Sequence, residues 1–281
     1  PHRVVYFAVF ALPTLAAFVI AFLIPFLFGL YLSFTNFTTV TNTQWVGWEN
    51  YVRAFTDNND FLHALWITAA FTVVSVLSVN LLAFGLALLL TRGLKGTNLF
   101  RTVFFMPNLI GGIVLGYIWQ LIINGLLLSA GVDITYDPKY GFWGLVVLMN
   151  WQMIGYMMII YIAGLQNLPT DVLEAAEIDG ASSWQKLRRV TIPMIMPSIT
   201  ICTFLTLTNS FKLFDQNLAL TGGDPNHMTE MMALNIYQTF YARAGAQWKG
   251  LGQSKAVLFC LLVIVISMIQ LKATRSKEVQ Q

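Results

Sequence analysis

Six stretches of this chain are apolar for about the roughly 20 residues that a helix needs to cross a bilayer core. They are Phe7–Ser33, Leu62–Leu90, Val103–Ile123, Phe142–Leu165, Met194–Leu213 and Gly252–Leu271. Inside hydrocarbon every backbone N–H and C=O must be bonded within the protein, which restricts runs of this kind to helices. The prediction is an all-α, polytopic membrane protein with six transmembrane helices. Composition agrees, since 57% hydrophobic and 10% charged residues are too apolar for a water-soluble domain. The connections leave no room for a soluble domain, so residues 1–281 read as a single transmembrane domain. The first stretch lacks a short apolar core followed by a small-residue cleavage site, and it reads as a retained helix rather than a signal peptide.

The net charge of +3 says little; the placement of the cations says more. With six spans and both ends on one side, that side holds Arg3, Arg92, Lys95, Arg101, Lys186, Arg188, Arg189, Lys272, Arg275 and Lys277. The other side holds Arg53, Lys139, Lys212, Arg243, Lys249 and Lys255. Ten against six predicts cytoplasmic N- and C-termini under the positive-inside rule. It also puts the segment between the fourth and fifth stretches in the cytoplasm, facing the inner surface of a cell membrane.

Catalysis finds no footing. The histidines His2, His63 and His227 are scattered without metal-ligand spacing. Cys202 and Cys260 each lie inside an apolar stretch, so no disulfide framework is indicated. No glycine-rich Gly-x-x-x-x-Gly-Lys loop occurs, so a nucleotide would have to bind another chain. No cofactor, metal or nucleic-acid partner is expected, and membrane lipid is.

Local signals mark bends and turns. Pro107 with Gly111, Gly112 and Gly116 predicts a bent third helix closely packed on a neighbour. Trp45 to Tyr51 is an aromatic loop suited to a membrane interface. Asp133 to Gly141 reads as a turn, and Thr221-Gly222-Gly223-Asp224-Pro225 is predicted to end the fifth helix. Beyond it, Met231, Leu234, Tyr237 and Tyr241 make a helical stripe of an external amphipathic helix.

The richest segment spans about 166–193. Asp171 or Thr170 is placed to cap a helix after Pro169, with Asp171 and Glu174 as a capping box. Ala175 and Ala176 give that helix a small-residue face. Gly180 supplies a position free to take positive φ and turn the chain. Ser182 with Gln185 caps a second short helix carrying Trp184, Leu187 and Val190, and Pro193 is predicted to start the fifth span. A rigid two-helix lever of this shape passes rigid-body motion to the spans on either side. Four acidic groups, Asp171, Glu174, Glu177 and Asp179, set its first helix against anionic lipid.

The order Glu174-Ala175-Ala176, three residues, Gly180, then Val190-Thr191-Ile192-Pro193 resembles the "EAA" coupling loop of ATP-binding-cassette (ABC) importer permeases. Val46-Gly47-Trp48-Glu49-Asn50-Tyr51 is similar to the Gly-Leu-x-Asn-Tyr segment of the carbohydrate-uptake branch, with Trp48 replacing Leu. Asn209 to Asp215 followed by Thr221–Pro225 resembles that branch's fifth-helix signature, with Asp224 where the family has Gly. The resemblance covers nearly the whole chain and implies a type I ABC-importer permease fold. It implies a heterodimer with a second permease, two ATP-binding subunits or one dimeric ATPase, and an extracytoplasmic solute-binding protein. It also implies that Glu174, Ala175, Ala176, Asp179, Gly180, Ala181, Trp184 and Pro193 form the ATPase-coupling site. The solute would be a sugar, an oligosaccharide or a related polyol. A permease for another solute class shares the coupling loop, and a stand-alone secondary transporter is the rival on span number.

Polar residues inside spans are costly and so mark pathways. Asn150, Trp151, Gln152 and Tyr156 fall together in the fourth stretch. Thr203, Thr206, Asn209 and Ser210 fall together in the fifth. Hydroxyl-directed hydrogen bonds and an aromatic face suit a sugar ring. The predicted pathway is Asn150, Trp151, Tyr156, Thr206, Asn209 and Ser210, with resemblance favouring Tyr156, Asn209 and Ser210. Helix–helix hydrogen bonding is the competing use of the same groups, and a helical ion pair is the plain expectation for Lys212 with Asp215.

Overall fold

The structure is a computed structural model that describes residues 6–57, 60–93 and 95–275; His2, Arg3 and Lys277, weighed above, lie outside these. Its helices are α1 (Val9–Leu32), α2 (Glu49–Thr56), α3 (Asp60–Leu90), α4 (Thr97–Phe105), α5 (Gly112–Leu127) and α6 (Pro138–Gln166). They continue as α7 (Thr170–Ile178), α8 (Ser183–Met194), α9 (Met196–Phe211), α10 (Asp215–Leu220), α11 (Met232–Tyr237) and α12 (Ala246–Arg275). Among the described residues five helices are long and apolar enough to span a membrane, and the bent pair α8–α9 brings the number to as many as six.

Two features depart from an all-α chain with six simple spans. A two-stranded antiparallel hairpin, β1 (Thr35–Thr39) and β2 (Asn42–Trp45), follows α1. Its threonine-rich sequence is β-branched, which favours a pleated strand over a helix. The third stretch is also cut in two. After α4 a tight turn over Met106–Leu109 carries Pro107, and Ile110 and Gly111 are extended before α5 begins. Proline removes a helical donor and adjacent glycines lower helix stability, so the chain breaks there instead of bending smoothly.

By internal contacts the chain forms two units, Pro1–Leu62 with Asn235–Leu261, and His63–Leu234 with Leu262–Gln281. In the first, Asn50 is fully buried and its amide donates to the carbonyls of Ser33 (3.2 Å) and Thr35 (3.0 Å), tying α2 to the hairpin. Trp45 and Trp48 are 62% and 69% exposed, as an interfacial loop requires. Of the expected apolar stripe, Met231 and Leu234, in the second unit, are fully buried, while Tyr237 and Tyr241, in the first, are exposed.

In the second unit α6 is the central post. Its faces carry Met149, Met153, Met157, Met158, Tyr161 and Ile162 into the core against Phe71, Val79, Ala83 and Ala87 of α3. Gly155 lets α4 approach closely: a Cβ there would fall 1.8 Å from the Phe104 carbonyl oxygen. Gly116 plays a similar part between α5 and α10, where a Cβ would meet that of Ala219 at 2.5 Å. The packing predicted for the third helix is thus present, and α10 is the element it packs on.

Candidate functional site

The α7–α8 segment folds as a two-helix bend from local chemistry. Gly180 has φ +75°, the left-handed conformation, directly after α7. The Ala181 N–H donates to the Ala176 carbonyl and the Gly180 N–H to that of Glu177, both at 3.0 Å, the paired bonds of a Schellman ending. Ser182 then opens α8 with a complete capping box: its N–H donates to Gln185 Oε1 (2.8 Å), and its hydroxyl accepts from the Gln185 N–H (3.3 Å). An ion pair between Glu177 and Lys186 spans the bend.

Two expectations here are corrected. The start of α7 has no side-chain cap, because Pro169 occupies the cap position and Thr170 and Asp171 are already helical. The Thr170 hydroxyl donates to the Asp171 carboxylate instead. Pro193 does not start the membrane helix either. It lies half-buried inside α8, and the chain bends by 71° before α9, where Pro197 follows in the first turn. Pro197 has no N–H to bond back towards Pro193, so the helix cannot run through.

The outer face of the bend is uncovered by its own chain. Glu174, Ala175, Asp179 and Gly180 are exposed, and Ala176 and Ala181 are half-buried. Ile178 is 86% exposed and Trp184 66% exposed. Large apolar side chains that their own chain leaves uncovered, grouped at one bend, are candidates for a contact surface.

The second feature is a cavity of about 450 Å³ built by the Met106–Leu109 turn, α6, α9 and α10. Asn108, Gln152, Tyr156, Asn209, Lys212 and Gln216 supply its polar lining, and Met149, Met153 and Leu213 the apolar part. Gln216 donates to Gln152 Oε1 at 2.7 Å, linking α10 to α6. The Asn209 amide N–H donates to the Leu205 carbonyl at 2.8 Å, which fixes the amide and leaves its oxygen as an acceptor. The Tyr156 ring stands edge-on to Phe105 with centroids 6.3 Å apart. Amide and hydroxyl groups around one aromatic face can bind a polyhydroxylated ring in several orientations.

Of the predicted pathway residues, Tyr156 and Asn209 reach this cavity and the others do not. Thr206 and Ser210 are fully buried, and their hydroxyls donate to the carbonyls of Cys202 and Thr206, each at 2.8 Å, within their own helix. Asn150 faces α3, where its amide donates to Ser78 Oγ at 2.9 Å. Trp151 is edge-on to Trp119 with centroids 5.6 Å apart. Lys212 and Asp215 form no ion pair among the described residues. The fifth helix ends at Phe211 rather than at Thr221, so the two lie on either side of a break.

Gln152, Lys212, Gln216 and Asn108 complete the lining. The first three had a signal in the sequence. Gln152 lies four residues before Tyr156, and Lys212 and Gln216 lie three and seven after Asn209, spacings that share a helix face. Asn108 had none, because it reaches the cavity from a broken turn.

Residues 79–274 match the family described as "Binding-protein-dependent transport system inner membrane component". The probable starch degradation products transport system permease protein AmyD of Thermoanaerobacterium thermosulfurigenes is 42% identical, over 98% of this chain and 96% of that protein. The trehalose/maltose transport system permease protein MalF of Thermococcus litoralis is 27% identical, over 94% and 92%. Among solved structures, a chain of a bacterial ABC transporter involved in the import of alginate superposes with a TM-score of 0.82 at 20% identity, over 98% of this chain and 96% of that one. That similarity shows the fold.

Proposed function

We propose a transport role for this chain, which belongs to the binding-protein-dependent transport system inner membrane component family. It is the permease subunit of an ATP-driven importer that takes up a sugar or oligosaccharide. Products of starch breakdown are the first candidates, in keeping with the name of its 42% identical relative. It crosses the cytoplasmic membrane six times with both termini inside, as the ten-to-six distribution of Lys and Arg favours. A second permease completes the solute path, ATP-binding subunits grip the α7–α8 bend, and an extracytoplasmic binding protein delivers the solute.

One observation carries the reading. A two-helix bend, held rigid by a Schellman ending and a capping box, leaves Ile178 and Trp184 uncovered by the chain itself. Closure of the ATPase on nucleotide pulls that bend, and α8 transmits the pull to α9. Because α9 and α6 both line the Tyr156 cavity, moving one against the other changes the side to which the cavity opens. Tyr156, Asn209, Gln152 and Lys212 bind the solute in passage; the bend's Glu174 pairs with a cation of the ATPase.

The decisive measurement is ATP hydrolysis by the reconstituted complex with its binding protein loaded in turn with malto-oligosaccharides, other sugars and amino acids. Stimulation by a saccharide-loaded binding protein alone is the expected result. Stimulation only by a non-saccharide solute would overturn the substrate assignment, and turnover without any binding-protein response would overturn the importer reading.

A further inference from the structure

Two asparagines bond α3 to α6, and their amides fare differently. Asn80 of α3 is fully engaged. Its oxygen accepts from the Tyr161 hydroxyl of α6 at 2.7 Å. Its nitrogen donates to the Val76 carbonyl at 2.7 Å and to Thr206 Oγ1 of α9 at 3.4 Å. Asn150 of α6 donates to Ser78 Oγ of α3 at 2.9 Å and to the Val146 carbonyl at 2.8 Å. Those two bonds fix its amide, and its buried oxygen has no donor among the described residues. A donor stands unused on the facing helix. The Ser75 hydroxyl, one turn before Ser78, is fully buried and has no partner among the described residues; nor has that of Thr72, a further turn away. The buried hydroxyls of Thr68, Thr200, Thr206 and Ser210 all donate to the carbonyl four residues back. Ser75 and Thr72 do not.

Ser75 lies on α3 between two points of contact with α6. One is the Phe71–Phe142 edge contact, with centroids 6.3 Å apart, and the other is the Ser78–Asn150 bond. The Asn150 and Ser75 oxygens are too closely packed for a water to sit beside them, so the remedy for either is another protein group. A donor and an acceptor buried without partners one turn apart make this arrangement costly, and a small shift of one helix on the other would pair them. The rest of the contact permits that shift. Met149, Met153 and Met157 of α6 share the core with Val79, Ala83 and Ala87 of α3, and flexible thioethers repack readily over small side chains. Packed helices pass between discrete arrangements rather than deforming continuously, and cross-helix hydrogen bonds of this kind define them.

We propose that Asn150 is a two-position switch between the states of the transport cycle. In this structure its amide holds Ser78; in the opposite-facing state α6 has shifted on α3 about the Asn80–Tyr161 tie, and the Ser75 hydroxyl donates to Asn150 Oδ1. The switch rests on the importer reading and extends it, since Gln152 and Tyr156 of the same helix line the solute cavity and Asn80 bonds α3 to the driven α9. The test places spin labels at Leu77 and Val147, exposed positions of α3 and α6, in the reconstituted complex. Pulsed electron paramagnetic resonance then gives their separation without nucleotide and after trapping with ATP and vanadate. Two separations that exchange with nucleotide are expected. Ser75→Ala should move the balance about fivefold towards the Ser78-bonded arrangement, and Ser78→Ala about fivefold the other way, the factor of one typical hydrogen bond. Shifts in the same direction, or none, overturn the switch, because serines that only pack have no reason to oppose each other. A single separation in both nucleotide conditions overturns it without any serine variant. ATP hydrolysis stimulated by the loaded binding protein, measured on the same samples, separates the two failures. If it persists beside a single separation, the switch alone falls; if it is absent, the importer reading falls with it.

Discussion

Tyr156 and Asn209 come from different helices and meet at one cavity because each leans on a partner that fixes its direction: Phe105 for the ring, the Leu205 carbonyl for the amide. Neither partner is needed for folding of the distant coupling bend. Tyr156→Ala and Asn209→Ala should therefore keep the complex assembled and raise the KM for uptake. A loss on the order of tenfold each follows from removing a hydrogen bond of about 1–1.5 kcal/mol that the solute shares. Thr206→Val should leave KM unchanged, because its hydroxyl is already bonded within α9. Transport assays in proteoliposomes separate these outcomes, and a larger effect at Thr206 than at Tyr156 would move the site. Gly155 answers to packing alone. Its added Cβ would meet a backbone carbonyl, which cannot swing aside. Gly155→Ala should cost about 1–3 kcal/mol as overpacking and lower the thermal midpoint of the purified transporter.

At the scale of elements, the bend between α7 and α8 makes a sharper demand. Gly180 sits at φ +75°, and its surroundings are open, so a side chain there meets backbone strain and no clash. Gly180→Ala should cost about 1 kcal/mol and Gly180→Pro, which cannot adopt the conformation at all, should uncouple ATP hydrolysis from uptake while the protein still inserts. Ser182→Ala, which removes the N-cap, should cost about 1 kcal/mol locally. Coupled transport that survives Gly180→Pro would remove the lever assignment. This bend was readable in the sequence because it is made of near neighbours: Ser182 finds Gln185, and Gly180 ends a helix, whatever the rest of the chain does. The long apolar runs were readable for the same reason, since each satisfies its own backbone. The hairpin, the break at Ile110 and the separation of α9 from α10 escaped, because a proline, a pair of glycines or a run of threonines admits both a bend and a break, and periodicity does not choose between them. Thr206 and Ser210 escaped differently. Periodicity gives the face of a helix, and the face they share looks into protein rather than into the cavity.

For the whole molecule, the proposed orientation ties the features together, and it can be tested without knowing the solute. Six crossings with both ends inside put the α7–α8 bend in the cytoplasm, and the Thr221–Glu230 segment outside. Trp184 is 66% exposed and His227 lies in an exposed turn, so a thiol at either position is within reach of a reagent, at His227 with loss of its pairing to the buried Glu230 carboxylate. The native Cys202 is buried and Cys260 half-buried in α12, which keeps background labelling low. In intact cells a membrane-impermeant maleimide should modify His227→Cys and spare Trp184→Cys; in inverted vesicles the pattern should reverse. ATP-binding subunits should shield Trp184→Cys further, because Ile178 and Trp184 are the apolar groups they would cover. The bend can receive force from a cytoplasmic ATPase only if it lies on the same side as that ATPase. Labelling of Trp184→Cys from outside intact cells would therefore defeat the orientation and the coupling mechanism together, whereas labelling from inside that nucleotide-binding partners fail to reduce would leave the orientation standing and defeat the mechanism alone.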